Sequence, residues 1–238
     1  MDDADFDRAL VSAAFTLAGE AGWGAVGVVR AARHAGLEPA RARQRFLGTP
    51  SLLARFGRIA DQAALEGASE EGARRDRLFD LLMRRFDVLQ AHRAGVLALR
   101  PWLPAHPATA LMLAAAHGVS MAYMLEAAGF SARGSRGALR VQGLVGLWLS
   151  VARSWERDDS ADLGATMAAL DKALNRAARL ENWLGGKSSR PEASAEMQSR
   201  PMADTVVPDL PDVPDLPNLP DLPNLPDSPE DPRHEEAP

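Results

Sequence analysis

The sequence of 238 residues contains no cysteine, which excludes disulfide bonds and thiol chemistry. Aromatic residues make up only 5% of the chain, and no uninterrupted apolar run reaches about eighteen residues, the length that a membrane-spanning helix needs. The first ten residues, MDDADFDRAL, are acidic and lack the basic segment and apolar core of a secretory signal. We therefore expect a cytoplasmic protein without an integral membrane segment.

Sequence motifs of several enzyme classes are absent as well. The chain has no phosphate-binding glycine loop, no HExxH and no GxSxG, and its histidines have no partners at metal-ligand spacing. Asp158, Asp159 and Asp162 fit a turn and a helix start, where Ser160 and Asp162 would cap the helix. We expect a protein that is not an enzyme and that uses no metal or other cofactor.

Apolar residues recur at three-to-four spacing through most of the chain, and no segment has the pattern of a strand, so the predicted fold class is all-α. The predicted helices cover residues 5–21, 26–35, 39–46, 49–66, 77–89, 96–99, 108–128, 138–156 and 163–184. Gly36 and Leu37 would form the turn between the second and third helices, and residues 131–137 another turn. We divide the chain into a headpiece (1–66), a helical body (67–184) and a tail (185–238).

Basic residues cluster in the headpiece. Between residues 30 and 58 the chain has seven arginines against the single acidic residue Glu38, an excess that suits a phosphate backbone. A solvated face of helix-supporting arginines would give the same composition. The tail has the opposite charge, because residues 183–238 carry 12 acidic and 4 basic groups.

The stretch of residues 22–53, GWGAVGVVRAARHAGLEPARARQRFLGTPSLL, resembles the DNA-binding headpiece of TetR-type transcriptional regulators. The resemblance rests on Gly22-Trp23, Ala32, Ala35-Gly36-Leu37, Phe46 and Leu52-Leu53, with no gap in spacing. It implies a helix-turn-helix whose third helix enters the major groove of operator DNA. At the positions where this family holds phosphates the chain has Arg43 and Thr49, which can bind phosphate, and Val26, which cannot. Charge and resemblance together predict DNA contacts from Arg33, Arg41, Arg43, Gln44, Arg45 and Thr49.

The body has two possible binding roles. Methionine adapts to ligand shape and alanine leaves space, so an apolar pocket is one interpretation of the methionine-rich helix, and plain core is the other. The predicted pocket residues are Trp102, Met112, His117, Met121, Met124, Leu125 and Trp148. In TetR-like proteins the last two long helices usually form a homodimer interface, although an intramolecular core would show the same periodicity. The predicted interface residues are Leu144, Leu147, Val151, Leu163, Met167, Leu170 and Leu174.

A second resemblance covers residues 74–181, which look like the C-terminal region of the lipid-binding accessory proteins of ubiquinone biosynthesis. It rests on Trp155, Asp158-Asp159-Ser160, Asp162, Thr166 and Leu170-Asp171. The leading hypothesis from the sequence is a dimeric TetR-type regulator that responds to an apolar ligand. The alternative is a lipid or isoprenoid carrier whose helix-turn-helix has lost DNA binding.

The tail contains a three-residue repeat, PDLPDVPDLPNLPDLPNL, at residues 208–225. Proline at every third position forbids a helix and favours extended polyproline II, with the apolar residues along one edge. Such a segment has nothing of its own to pack against. We expect a disordered repeat, with a docking peptide for a proline-recognising partner as the alternative.

Overall fold

The computed structural model describes residues 1–68 and 71–185, and within them it contains ten α-helices and no strand, which confirms the all-α prediction. The helices are α1 (Asp3–Ala21), α2 (Val28–His34), α3 (Pro39–Arg45), α4 (Thr49–Glu66), α5 (Arg74–Ala91), α6 (Arg93–Leu97), α7 (Leu99–Trp102), α8 (Pro107–Ala127), α9 (Gly134–Trp155) and α10 (Gly164–Gly185). Two 3₁₀ turns cover Trp23–Ala25 and Leu103–Ala105. The predicted repeat and its proline-recognising partner concern residues outside the described part of the chain.

The headpiece consists of α1 to α4 around one apolar core. The helix α1 begins at a cap in which the Asp2 side chain accepts a hydrogen bond from the backbone N–H of Asp5 at 2.7 Å. It ends at Gly22, whose φ of +75° is a conformation that glycine adopts without strain. Phe6 and Phe15 are almost fully buried against the other helices of the headpiece. Burial of each such side chain contributes about 1.5–3 kcal/mol.

The body consists of α5 to α10 and differs from the prediction in three places. The helix α5 begins three residues earlier than predicted, α6 and α7 replace the single predicted helix of residues 96–99, and α9 begins at Gly134, inside the predicted turn of residues 131–137. The first residues of α5 and α9 are polar and show no apolar periodicity, so the sequence pattern placed them outside the predicted helices. In the core, the rings of Phe86 and Trp148 are stacked with centroids 4.1 Å apart.

Headpiece and body pack directly on each other. The helix α6 lies against α1, and α5 and α8 lie against α4. The buried Trp23 donates a hydrogen bond from Nε1 to the carbonyl oxygen of Gly95 at 2.8 Å. A Cβ atom at Gly95 would overlap the backbone of Phe15, so glycine is needed for this close crossing. All the described helices belong to one compact unit.

One described helix, α8, is long and apolar enough by length and composition alone to cross a membrane. Core helices of water-soluble proteins pass the same test. Along α8 the exposed side chains include Leu111, Val119 and Tyr123, while Met121 and Met124 face the core.

Candidate nucleic-acid interface

The second and third helices form a helix-turn-helix because three features of the sequence cooperate locally. Gly36 takes a φ of +66°, and the backbone N–H of Leu37 then closes the turn on the carbonyl of Ala32 at 2.8 Å. Pro39 starts α3, where its missing N–H costs no hydrogen bond. On the inner side of α3, Ala42 and the following Phe46 are buried, as predicted.

The outer face of α3 and the segment just after it present four exposed side chains. Ala40, Arg43 and Gln44 follow the spacing i, i+3, i+4, which places them on one side of α3, and Leu47 lies two residues after the end of the helix, beyond the extended backbone of Phe46. Leu47 is 88% exposed, the most exposed large apolar side chain among the described residues. Ala40, Arg43, Gln44 and Leu47 together are called the readout face. Arg43 donates a hydrogen bond from Nη1 to the carbonyl of Leu47 at 3.0 Å, which steadies both residues.

Two of the predicted DNA-binding arginines do not lie on the readout face. Arg41 and Arg45 lie on the side of α3 that faces the start of α1. The Nη2 atom of Arg41 is 2.5 Å from Asp3 Oδ1, and Nη1 of Arg45 is 2.6 Å from Asp3 Oδ2. Asp7 accepts two further hydrogen bonds from Arg45, at 2.7 and 3.0 Å. Both predicted DNA-binding arginines are thus paired within the chain, and their contact with DNA stays a prediction.

The ion pairs change the titration of their members. The hydrogen bond from Arg41 is the main cause that holds the pKa of Asp3 below its ordinary value, and the charge of Arg45 adds to it. The hydrogen bond to Asp7 raises the pKa of Arg45 above the ordinary arginine value. Asp7 also lies 2.9 Å from Nε of Arg55. Three arginines of the basic cluster are thus paired with two aspartates of α1.

The remaining predicted DNA-binding residues have separate positions. Thr49 donates its hydroxyl hydrogen to the carbonyl of Val26 at 3.1 Å and so ties α4 to the segment before α2. Arg33 is exposed on α2, and its side chain has no hydrogen bond or ion pair within the described residues. It lines, with Arg30 and Arg43, a surface cavity of about 590 Å³ at the start of α2. Positive charge is therefore concentrated beside the readout face.

Sequence reasoning missed two kinds of residue at this interface. Leu47 follows the third helix, and its exposure becomes visible only when Phe46 is fixed in the core. Asp3 and Asp7 are four residues apart, so they occupy one side of α1, as Arg41 and Arg45 do on α3. The matched spacing of acids and arginines was a signal in the sequence, but nothing in it placed the two helices side by side.

The predicted ligand residues line neither the cavity at the start of α2 nor a second surface cavity at α6 to α8. Met121, Met124, Leu125 and Trp148 are buried in the body core. Trp102 lies at the edge of the headpiece core, where its ring stacks on His106 with centroids 3.8 Å apart. Met112 and His117 are half-buried on α8. The second cavity, of about 610 Å³, is lined instead by Val96, Leu99, Arg100, Leu103, Pro104, Pro107, Ala110 and Glu156.

Most predicted dimer residues face the interior of the same subunit. Five of them, Leu144, Val151, Leu163, Leu170 and Leu174, are buried in the body core, and Leu147 is half-buried. Buried side chains cannot contact a second subunit, so their assignment to an interface is wrong; only Met167 is exposed among the seven. The opposite side of α9 exposes Leu139, Gly143, Gly146 and Leu149.

The residues behind the second resemblance form a helix cap. The buried carboxylate of Asp158 accepts hydrogen bonds from the backbone N–H and the hydroxyl of both Ser160 and Thr166. The two hydroxyls are the main cause of a pKa of Asp158 far below its ordinary value. These contacts position the start of α10. The arrangement does not favour the lipid-carrier alternative.

Two solved structures are similar to about three quarters of the chain. The TetR transcriptional regulator from Nitrosomonas europaea ATCC 19718 has a TM-score of 0.62 and 22% sequence identity, over 74% of this chain and 99% of that one. A TetR-family transcriptional regulator from Streptomyces coelicolor has a TM-score of 0.52 and 19% identity, over 79% of this chain and 93% of that one. No protein-family model and no curated protein matches the sequence. The chain therefore has the fold of TetR-family transcriptional regulators, which confirms the fold that the headpiece resemblance implied.

Proposed function

We propose that the protein is a transcriptional regulator that binds operator DNA through the readout face of α3. The observation that carries this proposal is the pair of adjacent exposed side chains, Arg43 and Gln44, on the helix that follows a helix-turn-helix turn. Arginine can donate two hydrogen bonds to guanine, and glutamine can bond both N6 and N7 of adenine. Leu47 beside them can contact a thymine methyl group.

The surroundings of the readout face suit phosphate contacts. Arg30 and Arg33 line the cavity next to Arg43, so a DNA strand along the edge of α2 would meet positive charge there. Arg43 uses one of its N–H donors on the Leu47 carbonyl, which leaves four of the five donors of a guanidinium for DNA. The hydrogen bond also reduces the side-chain freedom that binding would otherwise remove.

The test is a DNA-binding titration with sites selected from random duplexes by the purified protein. Arg43→Ala should weaken binding to the selected site by about 5- to 150-fold, the loss expected for one bidentate base contact of about 1–3 kcal/mol. Gln44→Ala should relax the preference for one base pair. Arg157→Ala is the matched control, because it removes one exposed arginine of the body that lies outside α9. Equal losses for Arg43→Ala and Arg157→Ala, or no binding by the parent protein at about 50 mM salt, would contradict the proposal.

A homodimer is part of the proposal, because helix-turn-helix proteins bind two half-sites with two related headpieces. Its support is the outer side of α9, where Leu139 and Leu149 are exposed and Gly143 and Gly146 leave room for a close helix approach. A twofold interface uses the same patch on both subunits. We therefore assign the dimer contact to the side of α9 opposite to the residues predicted from the sequence.

Control by a ligand completes the proposal. Its support lies in the body, where Nε of Arg85 and Nε2 of His117 are buried without a hydrogen-bond partner among the described residues. The ring of His117 is 5.7 Å from that of Trp148, centroid to centroid. A ligand that bonds these atoms would change DNA affinity only if it binds one arrangement of the headpieces better than the other. Native mass spectrometry of the purified protein, followed by DNA titration with any compound found, tests this point.

A further inference from the structure

We propose that Asp3 is a built-in competitor for DNA phosphate, which masks Arg41 and Arg45 and so lowers the affinity of the headpiece for DNA of any sequence. The inference rests on the proposed DNA binding and goes beyond it. It divides the basic cluster into arginines that read DNA and arginines that are held back. It also assigns a role to the acidic start of the chain.

The geometry at Asp3 is that of an anion in a two-arginine site. One carboxylate oxygen contacts Arg41 at 2.5 Å and the other contacts Arg45 at 2.6 Å. A phosphate group presents two oxygens to paired arginines in a similar way, so the two anions compete for the same donors. DNA can gain these two arginines only if Asp3 gives them up.

Asp7 does not compete in this way, although it binds Arg45 as well. Its side chain is only 5% exposed and is enclosed by Arg45 and Arg55, whereas the side chain of Asp3 is 63% exposed. Asp7 is therefore a fixed part of the headpiece that positions Arg45. Asp3 is the member of the network that water and an external anion can reach.

Arg41 remains at the surface when its partner is lost. Its guanidinium carbon lies 4.5 Å from the centre of the Phe6 ring, so a cation–π contact holds the charged group beside α1. Removal of the Asp3 charge would therefore leave a positioned arginine with free donors. This favours a gain in phosphate binding over a collapse of the side chain.

Counterion release gives the size of the effect. Each new phosphate contact steepens the dependence of log K on log salt by about 0.9, which corresponds to about eightfold in affinity at 0.1 M salt. If Asp3 masks one or two arginines, it weakens sequence-independent binding by about 8- to 60-fold under those conditions. Base contacts by Arg43 and Gln44 would be unaffected, so the mask lowers the affinity for specific and for non-specific DNA alike and leaves the ratio of the two affinities unchanged.

Asp3→Asn in the full chain tests the inference, with Asp5→Asn as the matched control. Asp5 lies in the same first turn of α1 and is 52% exposed, but its ion pair joins it only to Arg8 of the same helix. Binding to a duplex of random sequence is measured between about 50 and 300 mM salt. We expect Asp3→Asn to bind at least about eightfold more tightly at 0.1 M salt with a steeper slope, and Asp5→Asn to change affinity less than about threefold.

Arg41→Ala in both backgrounds identifies the released group. It should have little effect in the parent protein and should remove much of the gain in Asp3→Asn, with folding checked by circular dichroism. Weaker binding by Asp3→Asn, equal effects of Asp3→Asn and Asp5→Asn, or the same Arg41→Ala effect in both backgrounds would overturn the inference. Failure of the parent and of Asp3→Asn to bind any duplex would instead overturn the proposed function.

Discussion

The buried ion pair between Asp61 of α4 and Arg85 of α5 allows a demanding prediction about stability. Arg85 is buried, and its Nη1 atom donates to Asp61 and to the hydroxyl of Ser120 on α8. Ser120 in turn donates to the same Asp61 oxygen. Burial is the main cause that lowers the pKa of Arg85, and the charge of Asp61 opposes it. The network joins the last helix of the headpiece to two helices of the body.

Loss of one charge should be far more harmful than loss of the whole network. Asp61→Asn leaves the buried guanidinium without its counter-charge, which we expect to cost about 3–5 kcal/mol of unfolding free energy. For a chain of this size that corresponds to a fall in Tm of about 6–20 °C. The triple variant Asp61→Leu, Arg85→Met, Ser120→Ala removes every polar member, and its stability should lie within about 1 kcal/mol of the parent or above it.

Urea unfolding followed by circular dichroism measures both variants, with the slope against urea concentration as a check that the same surface unfolds. Two results would refute the reasoning. If Asp61→Asn costs less than about 1 kcal/mol, Arg85 is not dependent on its counter-charge. If the triple variant is as unstable as Asp61→Asn, the loss comes from packing and not from an unpaired buried charge.

Two further predictions concern the body. Burial, assisted by the charge of Arg85, lowers the pKa of His117 to about 4 in the folded protein. In the unfolded chain His117 takes up a proton below about pH 6.5, whereas in the folded protein it stays neutral down to about pH 4. The free energy of unfolding should therefore decrease as the pH is lowered from about 6.5 to about 4. In urea titrations, the decrease between pH 7 and 5 should be about 2 kcal/mol larger for the parent than for His117→Leu. Equal decreases would contradict this prediction. Leu149→Arg on α9 should turn dimers into monomers in light scattering, whereas Leu111→Arg on the exposed side of α8 should not, and an unchanged mass for both would exclude the proposed interface.

The helices of the headpiece could be predicted from the sequence because their signals are local. The turn at Gly36, the proline that starts α3 and the spacing of Ala42 and Phe46 act over a few residues. The pairing of Asp3 with Arg41 joins residues 38 positions apart, and it depends on how α1 crosses α3. Periodicity assigned Arg41 correctly to the outside of the helix, but it contains no information about a neighbouring helix that brings a charge to it.

The residues that were predicted for the dimer interface lie in the core for a related reason. The stripe of Leu144, Val151, Leu170 and Leu174 was correctly recognised as apolar, but periodicity identifies which residues are covered and not what covers them. Within one subunit, α5 and α8 already cover this stripe. The side of α9 that stays available for a partner has small residues, Gly143 and Gly146. A search for apolar periodicity does not detect such a surface, because glycine does not contribute to the apolar pattern.

The charge of the proposed DNA interface shows the same limit of sequence reasoning, because the number of arginines is larger than the number that are free to contact DNA. Seven arginines between residues 30 and 58 suggest a strong electrostatic contact, yet three of them are held by Asp3 and Asp7. Arginines bound by their own protein contribute no counterion release until that partner leaves. A regulator with this arrangement would depend more on Arg43 and Gln44 for affinity. Its salt dependence should therefore be shallower than its composition suggests.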